Sequence, residues 1–338
     1  MNSQTLDTNQ VLFRNIGLDL LRVTEAAALA AGRWVGSGKY LDTHRAAAEA
    51  AIHALNEVEM DGHIVIGEEG RLGTLSSLNS GSHVGTGSGP PLDVVVDPID
   101  GTKLVVSGYP GAISTIAVAP RHTIWSPHPA AYVDKIVVDR EAAEALVPEV
   151  MDAPAAWTLA LIARVKGKSV RDLDVVVLDR PRHADLIEEI RATGARVWLR
   201  QADAEAALLA ATVGTNIDVL MGIGGAAEAI LAACAVKALH GGMLARLAPQ
   251  SRAERDALVE AGLERKRIWS VAEMVRGDDV FVAATGITRS DLLHEVDFHG
   301  QVAHLHSLLI RARTGTRRFV QTEQSILQEV VTANPLVG

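Results

Sequence analysis

The second half of this 338-residue chain predicts an α/β fold, because short apolar strands alternate there with helical segments. This rhythm is typical of a mainly parallel sheet flanked by helices. The first half, with longer helical stretches and separate strands, predicts an α+β arrangement. The predicted strands and helices of the second half are strand 174–178, helix 183–193, strand 196–199, helix 204–211, strand 217–221 and helix 226–239.

Composition limits the classes of partner. With 48% hydrophobic residues, the chain can bury the core of one large or two medium domains. We expect a division into an N-terminal α+β domain, 1–152, and a C-terminal α/β domain, 153–338. The formal charge is −9 and no basic cluster stands out in the sequence, so nucleic acid and anionic membranes are poor candidate partners.

The chain carries no sign of an oxidising compartment or a membrane. The single cysteine, Cys234, lies in an alanine-rich apolar run, which predicts a small core residue and excludes a disulfide framework. The first residues are polar and no apolar block follows them. No apolar stretch is long enough to span a bilayer, so the expected location is the cytoplasm.

Residues 92–102 hold the most informative motif. The β-branched run 94–96 predicts a buried strand that Pro98 ends abruptly, with Asp97 at its carboxyl end and Asp100 one tight turn further on. Gly101 allows a close bend, and the amides that follow it, beginning at Thr102, can face an anion. Two carboxylates beside a phosphate cradle are what magnesium-assisted phosphate chemistry needs. The alternative is an Asp-Pro turn with two solvated acids.

Two further acids occur at comparable positions. Glu68 follows the predicted strand 63–66, and Glu228 begins an apolar helix after a glycine-rich loop at 222–225. An acid is favourable at a helix N-terminus and is well placed there to bind metal. Each acid also has an ordinary alternative, a solvated loop position for Glu68 and a tight strand-to-helix connection for the glycine loop. That loop lacks the spacing of a dinucleotide fingerprint and has no Walker lysine.

The loop 179–183 is the second candidate contact with a ligand. It offers Arg180, Arg182 and His183 to phosphate or sugar oxygens, and in the predicted sheet it lies beyond a strand's carboxyl end. The alternative is a charged surface turn.

Taken together, these motifs resemble the class II, bacterial-type fructose-1,6-bisphosphatases, members of the lithium-sensitive, metal-dependent sugar phosphatase superfamily. The similarity runs from residue 22 to about residue 316. The matching stretches are residues 22–26, Ile64-Val65-Ile66-Gly67-Glu68, Asp97-Pro98-Ile99-Asp100-Gly101-Thr102, Arg180-Pro181-Arg182-His183, Gly222-Ile223-Gly224-Gly225 and Ala284-Thr285-Gly286-Ile287-Thr288.

The resemblance implies a layered αβαβα fold, Mg²⁺ or Mn²⁺ as cofactor, a sugar phosphate substrate and a homo-oligomer, dimer or tetramer. Thr102 would position or activate the attacking water, acting with Asp97 and Glu68. The implied metal ligands are Glu68, Asp97, Asp100 and Glu228. The implied substrate contacts are Asp100, Gly101, Thr102, Tyr132, Arg180, Arg182, Asp203 and Gly225.

The chain departs from the family pattern around the expected site. In an ungapped alignment His44 stands where the family has a metal-binding aspartate, and imidazole is a poorer ligand than carboxylate for magnesium. We include His44 among the expected metal ligands, with manganese or zinc the better match. The family's Asp-Gly-Asp element reads Gln201-Ala202-Asp203 here. The sequence therefore indicates a specialised or catalytically weakened paralogue.

Three functions follow as hypotheses. The leading one is metal-dependent hydrolysis of a sugar phosphate, by default the 1-phosphate of fructose 1,6-bisphosphate in gluconeogenesis, with another sugar or cyclitol phosphate as a rival substrate. The second is a non-catalytic protein that binds sugar phosphates. A dinucleotide-dependent dehydrogenase is a distant third, because the glycine-rich loop falls too late in the chain.

Overall fold

The computed structural model describes residues 16–67 and 78–326. Its α-helices are α1 (Ile16–Gly32), α2 (Tyr40–Asn56), α3 (Thr102–Ser107), α4 (Ala155–Lys166), α5 (Ala184–Ala192), α6 (Asp203–Ala211), α7 (Ala226–Leu239), α8 (Arg252–Glu260) and α9 (Val271–Met274). Its strands are β1 (Asp61–Ile66), β2 (His83–Val84), β3 (Pro91–Asp100), β4 (Ile113–Pro120), β5 (Tyr132–Val138), β6 (Asp174–Leu178), β7 (Arg196–Arg200), β8 (Val219–Gly225), β9 (Gly242–Leu247), β10 (Trp269–Ser270), β11 (Phe281–Gly286), β12 (Asp297–His299), β13 (Val302–Arg311) and β14 (Thr316–Ser325).

The strands form two mixed sheets, which confirms the α/β class. The first sheet has the order β12-β13-β11-β4-β3-β1-β2, with β14 paired to β13, and the second has the order β10-β9-β5-β8-β6-β7. The expectation of a mainly parallel second sheet is wrong, because only β6 pairs in parallel, with β7 and β8. The strand β5 precedes the alternating region in the chain. It lies between β8 and β9 and runs antiparallel to both.

Three apolar cores fix the order of the layers. The first packs α1 and α2 on the outer face of the first sheet. The second lies between the sheets and is built around α6 and α7. The third packs α4 and α5 on the outer face of the second sheet. In β3, Val94 and Val96 face the first core and Val95 faces the second, as the alternation of a strand requires. The layers therefore run αβαβα.

Both sheets take strands from each side of residue 152. The strand β5 belongs to the second sheet although it precedes that point, and β11 to β14 return to the first sheet. The division into domains 1–152 and 153–338 stays a prediction.

Several predicted boundaries shift in the structure. The strand β3 does not stop at Pro98 but continues to Asp100, through an irregularity in its pairing with β4 that accommodates a residue without an N–H. The glycine-rich segment 222–225 is the end of β8 and not a loop. The helix α2 begins at Tyr40, and the side chain of Thr43 in its first turn donates to the carbonyl oxygen of Lys39.

No α-helix within residues 16–67 and 78–326 is both long enough and apolar enough to cross a membrane.

Candidate active site

A cleft of about 900 Å³ opens where elements of both sheets meet. The residues that line it come from the end of β3 and the start of α3, the start of β5, the loop after β6, and the junction of β8 with α7. They include Gly67, Ile99, Asp100, Gly101, Thr102, Tyr132, Arg180, Arg182, Gln201, Asp203, Gly224, Gly225 and Glu228. The cleft thus brings together all the expected substrate contacts, which come from segments that are distant in the chain.

The end of β3 presents the two aspartates of the central motif. Asp97 is buried, and its Oδ1 accepts the N–H of Ile99 at 3.1 Å. Gly101 follows with a left-handed backbone (φ 92°), which favours glycine, and α3 begins at Thr102. The Thr102 hydroxyl donates to the carbonyl oxygen of Ile99 at 3.4 Å. The tight bend therefore connects the buried Asp97 to Gly101 and Thr102, both of which line the cleft.

Asp100 connects the first sheet to the middle layer. Its Oδ1 accepts the backbone N–H of Asp203 and its Oδ2 accepts the backbone N–H of Glu205, both at 3.0 Å. These two N–H groups belong to the first turn of α6, where helical N–H groups lack partners within the helix. The Asp100 carboxylate therefore acts as a cap supplied by a distant part of the chain.

Like charges converge on Asp100. Burial raises its pKa well above the usual range, and the neighbouring carboxylates of Asp97, Glu228 and Asp203 raise it further, while the N–H of Glu205 opposes the shift. Carboxylates that are crowded in this way favour either a proton or a cation among them. The donor set consists of carboxylate oxygens, which suits a hard divalent metal.

Glu228 lies in the first turn of α7 and is 8% exposed. A Cβ on Gly225, the residue before α7, would overlap its carboxylate, so the glycine leaves the space that this side chain occupies. Glu68, the other expected ligand, lies outside the described residues. Within residues 16–67 and 78–326, no three His, Cys, Asp or Glu side chains are already arranged to hold a metal ion.

His44 lies on α2, the helix that packs on the outer face of the first sheet. It is buried on α2, and its Nδ1 lies 3.5 Å from the Thr102 hydroxyl. The ring of Tyr40, which lines the cleft, stacks with the His44 ring at 6.5 Å between centroids. The structure therefore brings His44 next to Thr102.

The two arginines of the loop after β6 have different surroundings. The Arg182 guanidinium lies over the ring of Tyr132, 4.7 Å from its centroid. Arg180 instead donates to the carbonyl oxygens of Asp179 (2.9 Å) and Gln201 (2.8 Å), and so joins two loops at the rim of the cleft. Arg182 on Tyr132 is the better placed of the two to meet an anion.

His183 has a structural role that the sequence prediction missed. It is buried, its Nδ1 donates to the carbonyl oxygen of Leu178 at 2.7 Å, and its Nε2 accepts the N–H of Ile223 at 2.9 Å. Burial lowers its pKa, which agrees with a neutral ring. Because both nitrogens bind backbone groups, the expectation that His183 contacts phosphate or sugar oxygens is wrong.

Sequence reasoning also missed Lys135. This lysine is 1% exposed on β5, and its Nζ lies 2.8 Å from Asp203, behind the wall of the cleft. One feature of the sequence could have indicated its role. Lys135 lies in a mainly apolar strand, and a buried lysine requires a charged partner.

Comparisons with known proteins found a matching family model, relatives in sequence and a structural alignment. The family model described as bacterial fructose-1,6-bisphosphatase, glpX-encoded, matches residues 14–324. Fructose-1,6-bisphosphatase 1 class 2 of Escherichia coli (strain K12) is 34% identical over 323 residues, covering 91% of this chain and 95% of that protein. Fructose-1,6-bisphosphatase class 2 of Shigella flexneri matches to the same extent. A solved extragenic suppressor from Pyrococcus furiosus aligns over 60% of this chain and 71% of its own, with 10% identity and a TM-score of 0.30.

Proposed function

Because the chain belongs to the bacterial, glpX-encoded class II fructose-1,6-bisphosphatases, a family of phosphoric monoester hydrolases, we propose that its cleft hydrolyses the phosphate ester of a sugar. The default substrate is fructose 1,6-bisphosphate, cleaved at its 1-phosphate. The observation that carries the proposal is the clustering of Asp97 and Glu228 around Asp100. Asp100 and Glu228 line the same cleft as Thr102 and Arg182.

The family depends on metal in general, and the proposed cofactor here is Mg²⁺ or Mn²⁺. The ligands would be Asp97, Asp100 and Glu228, with Glu68 and His44 completing the set. When bound, such cations neutralise charge on the phosphoryl oxygens and lower the pKa of water. Phosphate monoesters hydrolyse extremely slowly without this help.

The chain's own residues orient the substrate. The backbone around Asp100, Gly101 and Thr102 would receive the phosphate to be cleaved, and the Thr102 hydroxyl would position the attacking water. The water oxygen would then bond to phosphorus while the ester P–O bond breaks. A proton of that water passes to the leaving sugar oxygen, so that the products are the sugar with a free hydroxyl group and inorganic phosphate. The Arg182 guanidinium over Tyr132 would bind the second phosphate, and Asp203 and Gly225 would contact the sugar.

A different sugar or cyclitol phosphate is the second candidate substrate. It is favoured by Gln201-Ala202-Asp203, which leaves one acid in the wall of the cleft, and by Arg180, whose guanidinium donates to two carbonyl oxygens. In that case the activity on fructose 1,6-bisphosphate is weak, and the enzyme serves a specialised pathway.

Phosphate release tests the proposal. We expect turnover of at least one member of a panel of fructose 1,6-bisphosphate, glucose 6-phosphate and inositol monophosphate, assayed with Mg²⁺ and with Mn²⁺. Asp97→Asn should abolish it. If no ester is cleaved and Asp97→Asn leaves the background unchanged, the non-catalytic sugar-phosphate-binding function is the correct one.

We also propose that the chain forms a homo-oligomer, dimer or tetramer. The edge strand β14, which among the described strands pairs only with β13, supports this, since a ten-residue sheet edge offers backbone groups to a second copy. Multi-angle light scattering decides between monomer, dimer and tetramer.

A further inference from the structure

The ion pair between Lys135 and Asp203 is buried behind the cleft. The Nζ of Lys135 lies 2.8 Å from both carboxylate oxygens of Asp203, and the two side chains are 1% and 7% exposed. Lys135 shares the face of β5 with Val133 and Val137, which point into the middle layer where α6 begins. Asp203 lines the cleft, whereas Lys135 does not. The lysine therefore reaches the cleft only through the aspartate.

The backbone makes room for this pair. A Cβ on Gly224 would overlap both the Asp203 carboxylate and the Lys135 ammonium. The N–H of Asp203 is held at the same time by Asp100. The Asp203 carboxylate is thus fixed from behind by a cation and at its backbone by the loop proposed to receive the phosphate.

Stability alone does not account for such a pair. Removing two charges from water costs several kcal/mol per ion, and replacing a buried pair by apolar residues is often neutral or stabilising. What the pair does supply is a charged acceptor at a fixed place on the wall of the cleft, next to an anion site. A carboxylate at that point repels a phosphate group and accepts hydrogen bonds from hydroxyl groups.

We infer that Lys135 is a positioning residue that holds Asp203 as the hydroxyl acceptor for the polyol part of the substrate, and thereby selects phosphate esters of polyhydroxylated molecules. This inference rests on the proposed function. The Lys135 ammonium places a positive charge directly against the Asp203 carboxylate. Asp203 still lines the cleft, and 7% of its side chain is exposed, so a hydroxyl group of the ligand can donate to its carboxylate.

The test compares two esters that differ in their hydroxyl groups. Fructose 1,6-bisphosphate offers hydroxyls to Asp203, whereas p-nitrophenyl phosphate offers none. A lost hydrogen bond to a charged group corresponds to roughly ten- to a hundredfold in affinity. We therefore expect Lys135→Met to lower the ratio of kcat/KM for the sugar ester to kcat/KM for p-nitrophenyl phosphate about tenfold, mainly through KM of the sugar ester.

A double-mutant cycle separates positioning from a direct role. Asp203→Asn should lower the same ratio, and adding Lys135→Met to the Asp203→Asn variant should lower it no further, because the lysine acts through the aspartate. A ratio that falls again in the double variant overturns the inference. If Lys135→Met alone does not fold, the double variant still tests the inference, since it carries neither buried charge. A ratio of kcat/KM values in the double variant that equals the wild-type ratio overturns the inference.

Lys166 provides the matched control. Its side chain is also largely buried, 7% exposed, and it pairs with Asp139 and Asp218 beyond the opposite end of β5. Lys166→Met should leave the ratio within about twofold of wild type, whatever it does to the melting temperature.

If Lys135→Met lowers kcat/KM for both esters in parallel, the pair is merely structural. If wild type cleaves neither ester, the proposed function fails; if it cleaves both and the ratio does not change in Lys135→Met, only this inference fails.

Discussion

Asp100 accepts the backbone N–H of Asp203 at 3.0 Å, across 103 residues of sequence. Through this bond the end of β3 in the first sheet holds the N-terminus of α6 in the middle layer. Asp203 in turn pairs with Lys135 on the second sheet. The cleft is therefore tied together by one chain of contacts from the proposed phosphate loop to the proposed sugar-binding wall.

The capping role of Asp100 predicts a stability difference between two neutral variants. Asp100→Asn keeps an oxygen acceptor for the helix, whereas Asp100→Ala leaves two N–H groups of α6 without their cap. We expect the alanine variant to be less stable than the asparagine variant by about 1–2 kcal/mol. Urea unfolding of both, in the presence of a chelator, measures this difference. Equal free energies of unfolding would mean that the helix does not depend on the cap.

Glu205 predicts a dependence of stability on pH. It is 1% exposed, and neither of its carboxylate oxygens has a hydrogen-bond partner in residues 16–67 and 78–326. Burial raises its pKa from 4.5 to about 7, Arg200 opposes the shift and Asp291 adds to it. A carboxyl group whose pKa is higher in the folded than in the unfolded protein favours folding while it is protonated. This stabilisation is complete below about pH 4.5, declines as the pH rises and is lost above about pH 7. The total change in the free energy of unfolding is about 3 kcal/mol.

We therefore expect Glu205→Gln to be more stable than wild type at pH 8, with the difference shrinking at pH 5. Urea unfolding at the two values measures it. The exposed Glu264 serves as the control, because Glu264→Gln should change little at either pH. A difference for Glu205→Gln that is the same at both values would contradict the prediction.

His44 predicts a shift in metal preference. Its Nδ1 lies 3.5 Å from the Thr102 hydroxyl, next to the proposed metal ligands. Because magnesium prefers oxygen donors, His44→Asp should raise the rate with Mg²⁺ relative to the rate with Mn²⁺ severalfold. Initial rates of phosphate release at saturating metal give the ratio. The exposed His53, on the same helix, is the control for a His→Asp change. An unchanged or lower ratio in His44→Asp would argue against His44 as a ligand.

Two adjacent glycines predict two separable defects. In Gly225→Ala the new Cβ would displace the Glu228 carboxylate, and in Gly224→Ala it would displace Asp203 and Lys135. We expect Gly225→Ala to raise the metal concentration needed for half-maximal activity about tenfold, since a shift of about 1.4 kcal/mol in binding is a factor of ten. Gly224→Ala should instead raise KM for the sugar ester with little change in metal requirement. Metal and substrate titrations of both variants distinguish these outcomes, and identical defects would refute the assignment.

Local patterns in the sequence predicted much of the proposed anion site. The β-branched run before Asp97 indicated the strand, Gly101 indicated the close bend, and the apolar helix indicated the place of Glu228. These inferences succeed because strand burial, backbone freedom and helix polarity act over a few residues. Tertiary pairing corrected the same reasoning at Pro98, where a sheet irregularity lets β3 run on to Asp100.

The sequence by itself determined the α/β class, the family and the residue types that gather around a phosphate. Only the tertiary structure decided that β5 lies between β8 and β9, that His183 binds backbone and not ligand, and that Lys135 meets Asp203. The physical reason is distance along the chain. Hydrogen bonds within a turn depend on neighbouring residues. The partner of a buried charge depends instead on which strands and helices pack against one another in the three cores.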